Sequence, residues 1–219
     1  LTSDGAAGGS RVRVKICGVT RVADAVGCVA LGVDMIGLNF VQGSPRRVDV
    51  TRAHAIIEAV RAHDGAGGVE IVGVVADMDE PALIALRYAL DLDRLQLHGS
   101  ETPKLVRRLH PHAFKALRVG DASDVAEADS YEGLILCDAK VPGALGGTGQ
   151  LVDFSLVAPL AKARPILLAG GLTPANVADA VRAVEPWGVD TASGVERFPG
   201  TKDLAAVEAF VKAARAARA

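Results

Sequence analysis

Eight short runs rich in Val, Ile and Leu recur along the chain, each followed by a stretch with helical spacing. This alternation restricts the fold more than any single motif. The apolar runs are VRVKIC (12–17), MIGLNF (35–40), EIVGVVA (70–76), RLQLH (94–98), AFKALRV (113–119), GLILCD (133–138), PILLAG (165–170) and GVDTA (188–192). Helical patterns fill the gaps at 22–31, 50–62, 80–89, 102–109, 122–128, 154–162, 174–184 and 202–216. Strands alternating with helices imply a parallel sheet joined by right-handed crossovers. Eight units in a chain of 219 residues match a small α/β fold, the single-domain (β/α)8 or TIM barrel. The rival, an open doubly wound sheet, more often uses fewer strands.

Start signals support several helices: Asp79 with Pro81, Thr102-Pro103, and Thr173-Pro174, where a capping side chain precedes a proline in the first turn. Val177 and Val181 extend the last of these as a buried stripe. No Pro/Gly-rich linker divides the chain; GAGG (65–68) reads as a turn between helix and strand. Residues 1–10, LTSDGAAGGS, read as a loose leader, which leaves 11–219 for the barrel.

Composition removes other classes. Half the residues are hydrophobic and the formal net charge is −2, with no basic stripe, so nucleic acid is not an expected partner. No apolar run is long enough to span a membrane. Three cysteines without CxxC spacing form neither a disulfide framework nor a zinc site. They suit a reducing compartment, and the cytoplasm is the expected location.

The barrel assigns a direction to every strand residue. In VRVKIC, Val12, Val14 and Ile16 alternate with Arg13, Lys15 and Cys17. The apolar set packs on helices; Lys15 and Cys17 then point into the barrel. Closure sets the eighth strand beside the first, so Lys15 is expected to pair with Asp190. Active sites of such barrels lie at the carboxyl ends of the strands. Gathered there are Cys17, the loop arginines Arg46 and Arg47, Gln96, His98 and Asp138. Glycines follow the sixth, seventh and eighth strands. Gly170-Gly171 runs into the Thr173-Pro174 helix start, and Ala192-Ser193-Gly194 leads into a further turn. Backbone N–H groups freed by glycine after the last two strands suit a phosphate.

Cys17 and Asp138 are the chemical candidates. A thiol near cations can fall toward neutrality and act as a base. A carboxyl kept from water can stay protonated and act as an acid. Each has a plainer reading: a buried inert thiol, and a carboxylate capping the next turn. Arg46 can equally be a solvated loop charge. His98 reads as a hydrogen-bonded structural histidine, Cys28 and Cys137 as packing. No metal motif and no dinucleotide fingerprint is present.

Six blocks, VKICGVT, GLNFVQGSPRRV, LQLHGSE, LCDAKVPGALGGTGQ, LAGGLTPANV and VDTASGVERFPGTKD, resemble in order and spacing the phosphoribosylanthranilate isomerase family. The resemblance implies a (β/α)8 barrel without cofactor or metal. It also implies an Amadori rearrangement of N-(5-phosphoribosyl)anthranilate to 1-(2-carboxyphenylamino)-1-deoxyribulose 5-phosphate in tryptophan biosynthesis. By position it makes Cys17 the general base and Asp138 the general acid, sets Arg46 on the anthranilate carboxylate, and puts Gly170, Gly171, Ser193 and Gly194 on the phosphate loops. Ala192 departs from a common serine, which touches only phosphate detail. Asn39 stands where an apolar residue is more usual. The implied partner is a phosphorylated sugar–anthranilate; monomer and homodimer stay open. A phosphosugar lyase or synthase on a related barrel is the competing activity. It needs a strand-end lysine, and the sequence offers Lys140 just past a strand tip. A barrel that binds such a ligand without turning it over is the third reading.

Overall fold

The computed structural model describes residues 11–64, 68–139 and 153–218. The leader, the start of the GAGG turn and the loop at 140–152, with Lys140 and the GGTG run, lie outside the described residues.

Eight parallel strands close on themselves in chain order: β1 (Arg13–Cys17), β2 (Met35–Asn39), β3 (Glu70–Val75), β4 (Arg94–Leu97), β5 (Ala113–Val119), β6 (Ile135–Ala139), β7 (Ile166–Leu168) and β8 (Gly188–Thr191). Helices α1 (Val22–Ala30), α2 (Val50–Asp64), α3 (Glu80–Ala89), α4 (Pro103–Leu109), α5 (Ala122–Glu127), α6 (Phe154–Ala163), α7 (Val177–Val184) and α8 (Leu204–Ala216) follow the strands in turn. The period of two sorts each strand. Val14, Ile16, Ile36, Ile71, Leu95, Ile135, Cys137 and Val189 join the helices in one apolar layer. Met35, Val72, Phe114, Ala116, Leu134, Leu136 and Leu167 form a second cluster inside the ring.

The polar face of β1 runs from the bottom of the barrel to its top. Arg13 bonds Glu70 at 2.8 Å and lies over the Trp187 ring, and Arg94 donates to the other oxygen of Glu70. This group plugs the amino end. Lys15 comes next and is fully buried; closure sets it opposite Asp190 in the β1–β8 register, and Nζ donates to Asp190 Oδ1 at 2.9 Å. Cys17 ends the strand at the open mouth.

Side chains of Asp79 and Thr102 accept from Ala82 and Leu105 N–H, as the capping residues imply. Two segments differ from expectation. Regular α7 starts at Val177 rather than 174, because the preceding turn bonds to itself. There the Asn176 side chain, not the Thr173 hydroxyl, takes a free backbone N–H, that of Thr173. A small hairpin, β9 (Glu196–Phe198) with β10 (Thr201–Lys202), occupies the last loop and delays α8 to Leu204. Asn39 ends β2 by accepting from Val41 N–H, so its side chain serves the backbone.

Candidate active site

Cys17 and Asp138 stand on the inner faces of β1 and β6 at their carboxyl ends, both buried. The parity of each strand puts them there: Lys15 and Cys17 share a face, as do Leu136 and Asp138. Gly37 on β2 makes room for the first pair. A Cβ on Gly37 would lie 2.9 Å from Cys17 Sγ and 3.1 Å from Lys15 Nζ, so both heads converge on that point.

Burial moves both groups in the same direction. Burial pushes the Cys17 thiol above its ordinary range, against the pull of Lys15 and Lys202, with Asp190 adding to the rise. The thiol therefore does not fall toward neutrality in the free protein, because desolvation outweighs its cations. Burial also pushes Asp138 up to about 6, and the negative charge of Asp190 adds to it. Ala139 N–H, donating to Asp138 Oδ1 at 2.9 Å, and the Arg118 and Lys15 charges pull the other way. The Lys15–Asp190 pair thus acts on both groups. Lys15 itself stands above the usual lysine value: burial works to lower it, and Asp190 together with the thiol overcomes that.

His98 lies beside Asp138, with Nε2 3.9 Å from Oδ2. Burial drops it to about 4, so the ring is neutral near pH 7. Gln96 Nε2 donates to His98 Nδ1 at 3.1 Å, which leaves the ring proton on Nε2 facing the carboxyl.

Arg46 is half-buried. Its Nε and Nη2 bond both carboxylate oxygens of Glu196, on β9, at 2.7–3.1 Å. Glu196 and its partner Lys202 are functional-site neighbours that the strand-end reading missed. Their signal was present in the VERFPGTKD block, but only the hairpin brings positions six apart together. Arg118 was missed as well; it follows Phe114 and Ala116 on the inner face of β5 and pairs in register with Asp138. Arg47 is exposed.

The loops after β7 and β8 touch. Gly170 takes φ +86°, and a Cβ there would stand 2.6 Å from Ala139 N and 3.1 Å from Asp138 Oδ1. Gly170 is thus required by the end of β6 whatever it binds. Gly171 has φ +63°. A Cβ on Gly194 would collide with the Leu172 carbonyl, to which Thr191 Oγ1 donates at 2.7 Å. Ser193 and Gly194 open a single 3-10 turn. No cluster of His, Cys, Asp or Glu among the described residues is arranged to hold a metal ion. No helix among them is long and apolar enough to cross a membrane.

A buried thiol and a carboxyl titrating near 6, over adjoining glycine loops in a closed barrel, can move a proton off one carbon and onto an oxygen. A Schiff-base lysine is not offered by the amines nearest them: Lys15 is held by Asp190, and Lys202 Nζ donates to Glu196 and two carbonyls. Comparison with known proteins identifies the family. Residues 14–213 match the family model described as N-(5'phosphoribosyl)anthranilate (PRA) isomerase. An N-(5'-phosphoribosyl)anthranilate isomerase of Myxococcus xanthus is 46% identical over 210 residues, covering 93% of this chain and 96% of its own. The crystal structure of phosphoribosyl anthranilate isomerase from Thermotoga maritima superposes with a TM-score of 0.86 at 34% identity, over 94% of this chain and 99% of that one. Another isomerase, crystallised with reduced 1-(o-carboxyphenylamino)-1-deoxyribulose 5-phosphate, gives a TM-score of 0.82 at 33% identity, again over 94% and 99%. Fold, mouth chemistry and full-length similarity lead to one conclusion: the chain belongs to the phosphoribosylanthranilate isomerase family.

Proposed function

We propose that this barrel isomerises N-(5-phosphoribosyl)anthranilate with Asp138 as general acid and Cys17 as general base. Asp138 gives its proton to the furanose ring oxygen as the C1′–O bond breaks, and the anthranilate nitrogen lone pair forms the C1′=N bond of a Schiff base. The Cys17 thiolate then removes the C2′ proton, and that electron pair forms C1′=C2′ while the C=N pair returns to nitrogen. The resulting enolamine tautomerises to the ketone, 1-(2-carboxyphenylamino)-1-deoxyribulose 5-phosphate. Arg46 receives the anthranilate carboxylate, a task suited to a planar fork of donors. Gly170, Gly171, Ser193 and Gly194 receive the phosphate through backbone N–H groups. Three free cysteines suit work in the reducing cytoplasm.

The observation that carries this reading is the placement of both groups, buried and inward, at the same end of one closed barrel. Their shifts add a consequence. With the thiol raised and the carboxyl near 6, the working form (thiolate with protonated carboxyl) is a minor arrangement of the state bearing one proton. The low-pH limb of kcat/KM, near 6, then reports Asp138, and the high-pH limb reports Cys17. Cys17→Ala and Asp138→Asn each lower kcat by about a thousandfold or more while the product still binds. Turnover within tenfold of the parent in either variant rejects the roles. Alkylation of Cys17, located by peptide mass, rises only above the ordinary thiol range; reactivity near neutrality rejects the order of the limbs.

A further inference from the structure

Glu196 is 4% exposed at its side chain and accepts from three directions. Arg46 contributes Nε and Nη2, Lys202 contributes Nζ at 2.8 Å, and Gly200 contributes its N–H at 3.1 Å. Lys202, whose side chain is fully buried, spends its other two protons on carbonyls. One is that of Cys17 at 2.6 Å, and the other that of Ala192 at 3.1 Å, the residue before Ser193. The Glu196–Lys202 couple therefore ties together three separate parts of the mouth: the end of β1 with the base, the β2 loop with Arg46, and the β8 loop assigned to phosphate. Held so, Arg46 crosses Gly18, where φ is +70° and any Cβ would collide with Arg46 Cδ.

The geometry of the guanidinium gives this couple a purpose beyond stability. A guanidinium has two edges that fit a carboxylate side by side: one formed by Nε and Nη2, the other by Nη1 and Nη2. Glu196 takes the first edge. Nη1 has no bond among the described residues, so the second edge stays available. An arginine fixed along one edge is pre-organised along the other and loses little freedom when a second carboxylate docks. We propose that Glu196, locked by Lys202, is a positioning residue that sets the free edge of Arg46 for the substrate's anthranilate carboxylate. The inference rests on the assignment of Arg46 in the preceding section.

The test compares two inhibitors: the reduced carboxyphenylamino-deoxyribulose phosphate and its phenylamino counterpart, which lacks the carboxyl. The ratio of their inhibition constants, carboxyl-free over carboxylated, isolates the carboxylate's share of binding. Glu196→Gln lowers that ratio by about tenfold, since glutamine keeps one acceptor oxygen and turns NH2 donors toward the cations where Glu196 has its second. Binding of the carboxyl-free inhibitor stays near the parent value, and KM rises more than kcat falls. An equal loss for both inhibitors makes Glu196 purely structural and overturns the proposal. Should Glu196→Gln fail to fold, Glu196→Asp keeps the charge and retracts it, lowering the ratio by about threefold; an unchanged ratio there overturns the proposal too. Arg46→Ala is the control. If it collapses the ratio while the Glu196 variants do not, the positioning role alone is wrong. If Arg46→Ala leaves the ratio intact, Arg46 does not meet the carboxylate and both assignments fall.

Discussion

Around Cys17 each charged neighbour already has a partner: Lys15 holds Asp190, Lys202 holds Glu196 and two carbonyls, and Arg46 holds Glu196. Around Asp138 it is neutral groups that are left open. His98 Nε2 and Gln96 Oε1 are buried there without a hydrogen-bond partner among the described residues. Both sides of the mouth are equally shut from water, so the contrast lies in pairing rather than in burial. A closed network of charges fixes geometry, and removing one member strands another in a dry interior. Neutral polar atoms left open cost less and remain available to an incoming hydroxyl, ring oxygen or water. The Cys17 side is built to stay in place, and the Asp138 side is built to be completed.

The strongest challenge to this contrast is Lys15→Met. It leaves Asp190 buried and unpaired and lowers stability by about 3–5 kcal/mol. Adding Asp190→Leu removes the stranded charge and restores most of the loss. Denaturant unfolding of the two variants gives the numbers. A cost under about 1 kcal/mol for Lys15→Met would mean that Asp190 finds water, and the Cys17 side would not be closed.

Asp138→Asn probes the other side, and its sign is opposite. A carboxyl whose folded pKa is raised adds stability in full below its unfolded value, ~4. That contribution is lost as pH rises through the folded value of about 6. Two units correspond to about 2–3 kcal/mol by which the ionised carboxylate weakens the fold above pH 6. Asparagine never ionises, and its amide oxygen can still accept from Ala139 N–H. The asparagine variant is therefore more stable than its parent at pH 8 and equal to it at pH 4. Unfolding curves at those two pH values decide the matter; a less stable variant at pH 8 would show that the carboxylate is welcome where it lies.

Much of this was legible from strand parity. A period of two, with closure, is enough to turn Lys15 and Cys17 inward, to send Cys137 to the helices, and to set Lys15 against Asp190. Register follows from hydrophobic pattern wherever one face is buried. The same parity turns Arg118 inward, but it was overlooked, because arginine near a strand end reads as solvated until the neighbouring strand is in place. The Glu196–Lys202 couple was not legible, because it depends on a two-residue strand pairing through an irregular register at Thr201 and Lys202. The charge state of Cys17 was hidden for another reason. Sequence shows the cations near a thiol but not the desolvation that opposes them, and here desolvation is the larger effect.

Gln96→Leu carries the contrast to its smallest consequence. Gln96 is almost fully buried, gives one bond to His98 and leaves Oε1 open. Leucine leaves the buried His98 Nδ1 without its donor, at about 1–3 kcal/mol, and at the same time removes an unpaired carbonyl whose burial costs a similar amount. The two effects nearly cancel, so stability stays within about 1 kcal/mol of the parent. Lys15→Met, at equal depth in the same barrel, loses several times more. If the two substitutions cost the same, Gln96 Oε1 is held by a buried water, and the Asp138 side is as fully paired as the Cys17 side.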